Sequence, residues 1–167
     1  MMEAALSGTT MATLGLDLAL FLAALAFMEG FAWVTHRYVM HGWGWAWHRS
    51  HHEPRTGRFE LNDLFAVVFA APAIVAIWFG VHGVPWLLPV GLGITAYGAI
   101  YFVFHDGMVH QRFKVPLGRS RYWKQLIQAH RIHHAVHTKD GAVSFGFLLA
   151  RPVRELKAKL RERGVET

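Results

Sequence analysis

The feature that most limits how this chain can fold is a run of 42 residues, Leu64 to His105, without a single Asp, Glu, Lys or Arg. A helix crosses the roughly 30 Å hydrocarbon core of a bilayer with about 20 apolar residues. The run is therefore long enough for two spans, which we place at about 64–81 and 86–105. The turn between them, His82 to Pro85, contains a glycine and ends with a proline suited to starting a helix. Pro72 predicts a kink rather than a break.

An earlier apolar stretch covers about residues 14–34 and is interpreted as the first membrane span. It contains Glu29, and an acid inside a membrane is costly unless it faces the protein interior. The stretch lacks the basic start and the small-residue cleavage site of a secretion signal, so we expect it to be retained. The sequence thus predicts an all-α, polytopic integral membrane protein with about three transmembrane helices, forming a single domain over residues 1–167.

The basic residues predict how the chain is oriented in the membrane. All 17 Lys and Arg lie between the first two spans or after the third. The positive-inside rule places both of these segments, 35–63 and 106–167, on the cytoplasmic face, with Met1 and the turn at His82 outside. Anionic lipid headgroups then explain the formal net charge of +6, and no nucleic-acid partner is expected.

Composition narrows the chemistry that such a chain can perform. Charged residues make up 17% of the sequence, well below the roughly 25% of ordinary soluble domains. The absence of cysteine excludes disulfides, thiolate metal sites and cysteine catalysis. The 12 histidines remain as the main reactive side chains.

Ten of the 12 histidines form two copies of one pattern, an H-x4-H pair followed by an H-x2-H-H triplet. On an α-helix, positions i, i+3 and i+4 lie on one face, so each triplet can direct three imidazoles at a common point. Positions i and i+5 are about 140° apart. Each pair must therefore flank a helix end or a distortion, or supply two different metals. The ten residues are His36, His41, His48, His51 and His52 in the first copy, and His105, His110, His130, His133 and His134 in the second.

Burying ten imidazoles without metal would leave unsatisfied or mutually repelling groups, so the pattern predicts a cytoplasmic site for two metal ions. Each copy supplies five ligands, and an exchange of ligands between the two copies stays open. Imidazole suits zinc, copper, iron and nickel alike. Asp106, beside His105, is either a partner for an imidazole N–H or a charge at a helix end. Glu29 lies on nearly the same helix face as His36. It has either a packing role or, like Asp106, a role as partner for an imidazole N–H. His137 is either a further partner or dispensable.

Two helices are predicted after the third span, at about 120–137 and 152–163. In the second, Leu156 and Leu160 share one face between basic residues. This arrangement suits a helix on the membrane surface, and the alternative is a solvated tail.

The histidine boxes resemble those of the membrane fatty-acid hydroxylase and sterol desaturase superfamily. Three segments are similar to its bacterial carotenoid hydroxylases: HRYVMHGWGWAWHRSHHEPR at 36–55, HDGMVHQR at 105–112 and AHRIHHAV at 129–136. The similarity continues through VSFGFL at 143–148 and covers about residues 31–152. The resemblance implies that the ten histidines bind two iron ions in a non-haem centre that activates dioxygen.

The same resemblance implies hydroxylation of β-ionone rings at C3, which converts β-carotene to zeaxanthin through β-cryptoxanthin. Such a hydrocarbon partitions into the bilayer and offers no acidic proton, so a metal cofactor must carry the chemistry. Each turnover consumes dioxygen and two electrons. The chain contains neither a G-x-G-x-x-G nor a P-loop motif, so a separate donor is expected, by resemblance a ferredoxin or similar carrier. Trp43, Trp45 and Trp47 are candidates for gripping the substrate; the alternative is an aromatic belt at the interface.

Other functions remain open from the sequence. The nearest is a hydroxylase or desaturase of the same superfamily that acts on fatty acyl or sterol substrates. A histidine-rich metal transporter belongs to a different class, but it should carry ionisable residues near the middle of the membrane. A b-type haem protein needs only paired axial histidines and would leave six or more of the ten unexplained.

Overall fold

The computed structural model describes residues 2–116 and 120–165, and every regular element within this part of the chain is helical. The predicted all-α fold is therefore confirmed. The expected placement of Met1 and Thr167 on opposite sides of a membrane concerns residues outside the described part. The α-helices are α1 (Met2–Val34), α2 (Trp45–His52), α3 (Leu64–Val81), α4 (Leu87–Tyr101), α5 (Arg121–His134) and α6 (Val153–Glu162).

Two π-helical segments and one short 3₁₀ turn complete the described elements. The first π-helical segment, Thr35–Trp43, continues directly from α1, and the second, Phe102–Val109, continues from α4. The 3₁₀ turn, Leu61–Asp63, precedes α3. In a π-helix each N–H bonds to the carbonyl five residues earlier, and such segments are rare and often mark functional sites.

Three helical stretches are long and apolar enough to cross a membrane: Thr10–Trp43, Leu61–Val81 and Leu87–Val109, with 34, 21 and 23 residues. About 20 residues suffice. Each of the three predicted spans lies within one of these stretches to within one residue. Large apolar side chains remain exposed along them, such as Leu18 and Ile74, which suits contact with lipid.

One compact unit consists of the chain up to Met28 together with Val67–Gly98. Glycines let its helices approach closely, as small residues do in membranes. A Cβ added at Gly93 would lie only 2.5 Å from the carbonyl oxygen of Phe21, so α4 packs backbone to backbone against α1. Gly83 adopts φ +114° in the turn before α4, a conformation that favours glycine. Pro72 lies inside an uninterrupted α3, so it does not break the helix.

The second unit consists of Glu29–Ala66 and the described chain from Ala99 onward. Its apolar core joins α5 to α6, and Leu156 and Leu160 of α6 are fully buried there. The expectation that α6 is a membrane-surface helix or a solvated tail is therefore wrong. Its apolar stripe covers α5 and the segment that follows α5, because these present a matching apolar face.

The predicted helix at 120–137 is observed as α5 and ends three residues earlier. Ser120 caps its start, since the Ser120 hydroxyl accepts the N–H of Trp123 at 3.2 Å. His134 is the last residue of the helix, so His137 lies beyond it. This shortening decides what His137 can contact.

Candidate metal centre

The ten predicted histidines all lie in the second unit and gather into two sets. Ring nitrogens of four residues lie within 4.8 Å of one another in each of two groups. Two further histidines extend these groups, because Nε2 of His52 is 3.1 Å from Nε2 of His133, and Nε2 of His134 is 3.0 Å from Nε2 of His130. The first set is His36, His41, His48, His52 and His133, and the second set is His51, His105, His110, His130 and His134.

The π-helical segments explain how the two histidines of each H-x4-H pair come to lie in the same set. The N–H of His110 bonds to the carbonyl of His105 at 3.0 Å, which puts residue i+5 one turn above residue i. His105 and His110 therefore belong to one set, as His36 and His41 belong to the other. Of the two arrangements left open by the sequence, a helix distortion is the one observed.

Each H-x2-H-H triplet is divided between the two sets. On α2, His48 and His52 join the first set, whereas His51 joins the second. The triplet on α5 is divided in the same way, and its middle residue, His133, joins the first set. A triplet therefore does not direct its three imidazoles at one point, because positions i+3 and i+4 are about 100° apart around a helix. The two sequence copies thus exchange one histidine each.

Six of the ten histidines in the two sets donate Nδ1–H to an oxygen atom behind the ring. An oxygen acceptor requires the proton on Nδ1, so the neutral imidazole keeps its lone pair on Nε2. This tautomer is the one that lets Nε2 bind a metal while the acceptor orients the ring. The six pairs are His36 with Phe145 O (3.0 Å), His41 with Lys139 O (2.8 Å), His48 with Asn62 Oδ1 (2.7 Å), His51 with Glu60 Oε2 (2.9 Å), His52 with Val136 O (2.9 Å) and His105 with Asp106 Oδ1 (2.8 Å).

The Nε2 atoms of these rings face one another at short distances. Nε2 of His51 lies 2.8 Å from Nε2 of His105, and Nε2 of His36 lies 3.1 Å from Nε2 of His48. Both atoms of each pair carry a lone pair, so no hydrogen bond joins them and they repel. A cation bound by both lone pairs removes that repulsion. The arrangement therefore fits a metal ion in each set.

Burial keeps these imidazoles uncharged. It lowers the pKa of His48 to about 2 and that of His52 to about 4. Burial first, and repulsion by neighbouring imidazoles second, also hold the pKa values of His130 and His133 well below the ordinary 6.5. At neutral pH the rings are thus in the form that binds metals.

Asp106 is held from behind by an arginine that sequence reasoning missed. Arg112 donates to both carboxylate oxygens of Asp63 at 2.8 Å and to Asp106 at 3.3 Å. These hydrogen bonds raise the pKa of Arg112. Asn62, the acceptor for His48, was also missed. Arg112 is recognisable as the residue two places after the second pair, whereas Asn62 belongs to no motif.

Glu29 binds the backbone of a segment that is distant in sequence. Its carboxylate accepts the backbone N–H groups of Phe147, Leu148 and Leu149 at 3.0–3.1 Å. The same segment carries the Phe145 carbonyl that accepts Nδ1–H of His36. Glu29 therefore acts on the first set through this segment.

His137 lies outside both histidine sets. Its ring contacts backbone, with Nδ1 donating to the carbonyl oxygen of His52 at 2.8 Å. The predicted helix at 120–137 would place His137 on one face with His133 and His134, but α5 ends before His137. His82 lies in the other unit, where its Nδ1 donates to the carbonyl of Trp78 at 2.7 Å.

The three tryptophans have different surroundings. Trp45 contacts the first set, with ring centroids 5.1 Å from His41 and 5.3 Å from His52. Trp47 packs edge-on against Phe65 at 5.5 Å. Trp43 is 83% exposed. Trp45 is thus the one whose indole lies against the candidate metal centre, and a substrate-binding role for the three stays a prediction.

Comparison with known proteins defines the class. Residues 21–150 match the family model described as "Fatty acid hydroxylase". Because this match covers most of the 167 residues, the chain belongs to the fatty acid hydroxylase family, as an integral membrane member with three apolar helical stretches. No solved structure matches the chain.

Several curated relatives within this family are similar over most of their length. The chain is 57% identical to a beta-carotene hydroxylase of Pantoea ananas over 137 residues, which are 81% of this chain and 78% of that protein. It is 58% identical to the beta-carotene hydroxylase of Pseudescherichia vulneris over the same shares of both chains. It is 48% identical to the beta-carotene hydroxylase of a Paracoccus species over 145 residues, 86% of this chain and 90% of that protein.

Proposed function

We propose that the chain is a β-carotene 3-hydroxylase that adds hydroxyl groups to β-ionone rings through a non-haem di-iron centre. The observation that carries the proposal is the pair of five-histidine sets whose Nε2 lone pairs face one another. The beta-carotene hydroxylases among its relatives support the carotenoid substrate over fatty acyl or sterol substrates. The conversion runs from β-carotene through β-cryptoxanthin to zeaxanthin.

The first and second histidine sets would each hold one iron ion. Bound there, iron supplies the activation of dioxygen and the abstraction of hydrogen that an unactivated ring carbon needs. The chain's own contribution is to position the ligands: in six of the ten histidines, an oxygen acceptor at Nδ1 keeps the Nε2 lone pair directed inward. His36 and His133 are almost fully buried, so their rings are shielded from water. A hydrocarbon carotenoid that enters from the bilayer has no polar group for the site to bind, so its shape and its apolar contacts must orient it.

Expression in cells that accumulate β-carotene tests the proposal. We expect β-cryptoxanthin and zeaxanthin to form, and the purified protein to contain two irons and no Soret band. Formation should stop when iron is withheld and resume with Fe(II) and a reductant. Full activity with zinc alone would contradict the mechanism, since zinc has no redox chemistry. β-Carotene that persists beside iron-loaded protein would contradict the substrate.

Electrons must come from a separate carrier, and a cationic pocket marks where such a donor would dock. The pocket has a volume of about 360 Å³ and is lined by Arg37, Lys139 and Arg163 as well as by His41. His41 belongs to the first set and donates Nδ1–H to the Lys139 carbonyl. A donor seated here is one imidazole away from the proposed iron. We assign the pocket to an acidic one-electron carrier such as a ferredoxin.

Charge reversal at this pocket should weaken donor docking. With Lys139→Glu, we expect KM for the reduced donor to rise at least about tenfold at low salt, because like charges then face each other. Lys157→Glu is the matched control, since Lys157 is exposed on α6 and does not line the pocket. Steady-state assays at two ionic strengths measure the effect. Equal KM values for both variants would place the docking site elsewhere.

The orientation follows the distribution of basic residues, with the N-terminus outside and the histidine sets on the cytoplasmic face. Reporter fusions can measure this. At Gly83, a reporter that works only outside the membrane should be active, and one that works only in the cytoplasm should be inactive. After residue 165 the result should be the reverse. A cytoplasmic signal at Gly83 would overturn the three-span topology.

A further inference from the structure

The two histidine sets have the same number of imidazoles but differ in the atoms behind them. In the first set, the Nδ1–H groups of His36, His41 and His52 meet backbone carbonyls, and that of His48 meets the neutral amide of Asn62. In the second set, the acceptors of His51 and His105 are carboxylates, from Glu60 at 2.9 Å and Asp106 at 2.8 Å.

The surrounding charges enlarge this difference. Behind the second set lie three carboxylates, those of Glu60, Asp63 and Asp106; the Arg112 guanidinium pairs with two of them, and Arg55 acts on Glu60. The pocket beside the first set has the opposite balance. Its wall contains three cationic side chains and one acid: Arg37, Lys139, Arg163 and Asp140.

A carboxylate that accepts Nδ1–H makes the opposite ring nitrogen a stronger ligand, and it orients the ring more firmly than a carbonyl does. Negative charge near a metal also favours its higher charge state. We propose that the two metal positions are unequal: the second set binds its iron more tightly and, in a half-oxidised centre, holds the ferric ion. This inference rests on the proposed function, since it takes both ions to be iron.

The unequal affinities can be measured on the purified full-length holoprotein without any assay of activity. Equilibrium competition with a chelator should remove iron in two steps of one ion each. The two binding constants should differ at least about tenfold. Tenfold is the lower end of the change in metal affinity that follows when a partner behind a ligand is altered. Removal of both irons in a single step with one binding constant would overturn the proposal.

Variants assign each step to a set. Asp106→Asn should weaken the tighter step by about tenfold to a hundredfold. Asn62→Asp, a nearly isosteric change, should strengthen the weaker step instead and narrow the gap. Glu53→Gln is the control, because Glu53 follows His52 directly but pairs with Arg49 at the surface, so neither step should move. Weakening of the low-affinity step in place of the high-affinity step in Asp106→Asn, or strengthening of the high-affinity step in Asn62→Asp, would overturn the assignment.

Oxidation state is tested by labelling one position. The weakly bound iron is removed and replaced with ⁵⁷Fe(II), and one equivalent of ferricyanide then takes one electron per centre, becoming ferrocyanide. Mössbauer spectra should show that the label stays ferrous, and a ferric label would overturn the proposal. Two irons leaving in one step from a protein that hydroxylates β-carotene would refute only the inequality. Unequal steps in a protein that leaves β-carotene unchanged would refute only the proposed function.

Discussion

Replacing any one of the ten box histidines by alanine should lower hydroxylation at least about a hundredfold, since even a partner behind a metal ligand contributes up to that much. The sharpest cases are His51 and His133, the two residues exchanged between the sequence copies. Each lies on the same helix as two members of the opposite set. Losing either one removes a ligand from its own set, and the other two histidines of the same triplet cannot replace it because they belong to the opposite set. Pigment analysis and iron content measure the outcome.

Two histidines provide the controls. His82→Ala should keep near-normal activity, because His82 bonds to the Trp78 carbonyl in the other unit. His137→Ala removes one hydrogen bond to the His52 carbonyl, worth about 1 kcal/mol, so activity should stay within about tenfold of the parent. A dead His82→Ala protein that inserts normally, or several fully active box variants, would contradict the assignment of the sets.

The sequence was most informative where composition alone decides. A run of 42 uncharged residues has few ways to satisfy its backbone except as membrane helices, so α3 and α4 were placed correctly. The repeated histidines were equally informative, because the ten that the pattern singles out are the ten that gather into the two sets.

Side-chain direction could not be read from the same pattern. The α-helical 3.6-residue period separates His105 from His110, and only the π-helical segment brings them together. The local sequence does not predict a π-helix, because its wider turn is stabilised by the elements that the segment packs against. The pairing of Asn62 with His48 likewise depends on how the 3₁₀ turn lies along α2. The spacing of apolar residues in α6 predicts an apolar stripe, but it does not show that α5 is the surface that buries Leu156.

Glu29 shows what the sequence predicts about an acid inside a membrane span and what only the structure supplies. Its cost inside the bilayer indicated correctly that it needs a partner. Three backbone N–H groups supply that need, and no pattern of charges could have identified them. Its carboxylate thereby holds the segment 145–149, whose Phe145 carbonyl orients His36.

Glu29→Ala should therefore abolish activity by about a hundredfold although Glu29 is not proposed as a ligand. Three backbone N–H groups lose their acceptor, and the segment no longer orients His36. Glu29→Gln keeps one carbonyl oxygen as an acceptor and should lose less. Asp17→Ala is the matched control, an acid of the same helix that lies in the other unit. Iron content and hydroxylation, measured on protein of equal abundance in the membrane, should fall together in the order Ala below Gln below parent. A Glu29→Ala protein with two irons and full activity would show that the segment holds His36 without this carboxylate.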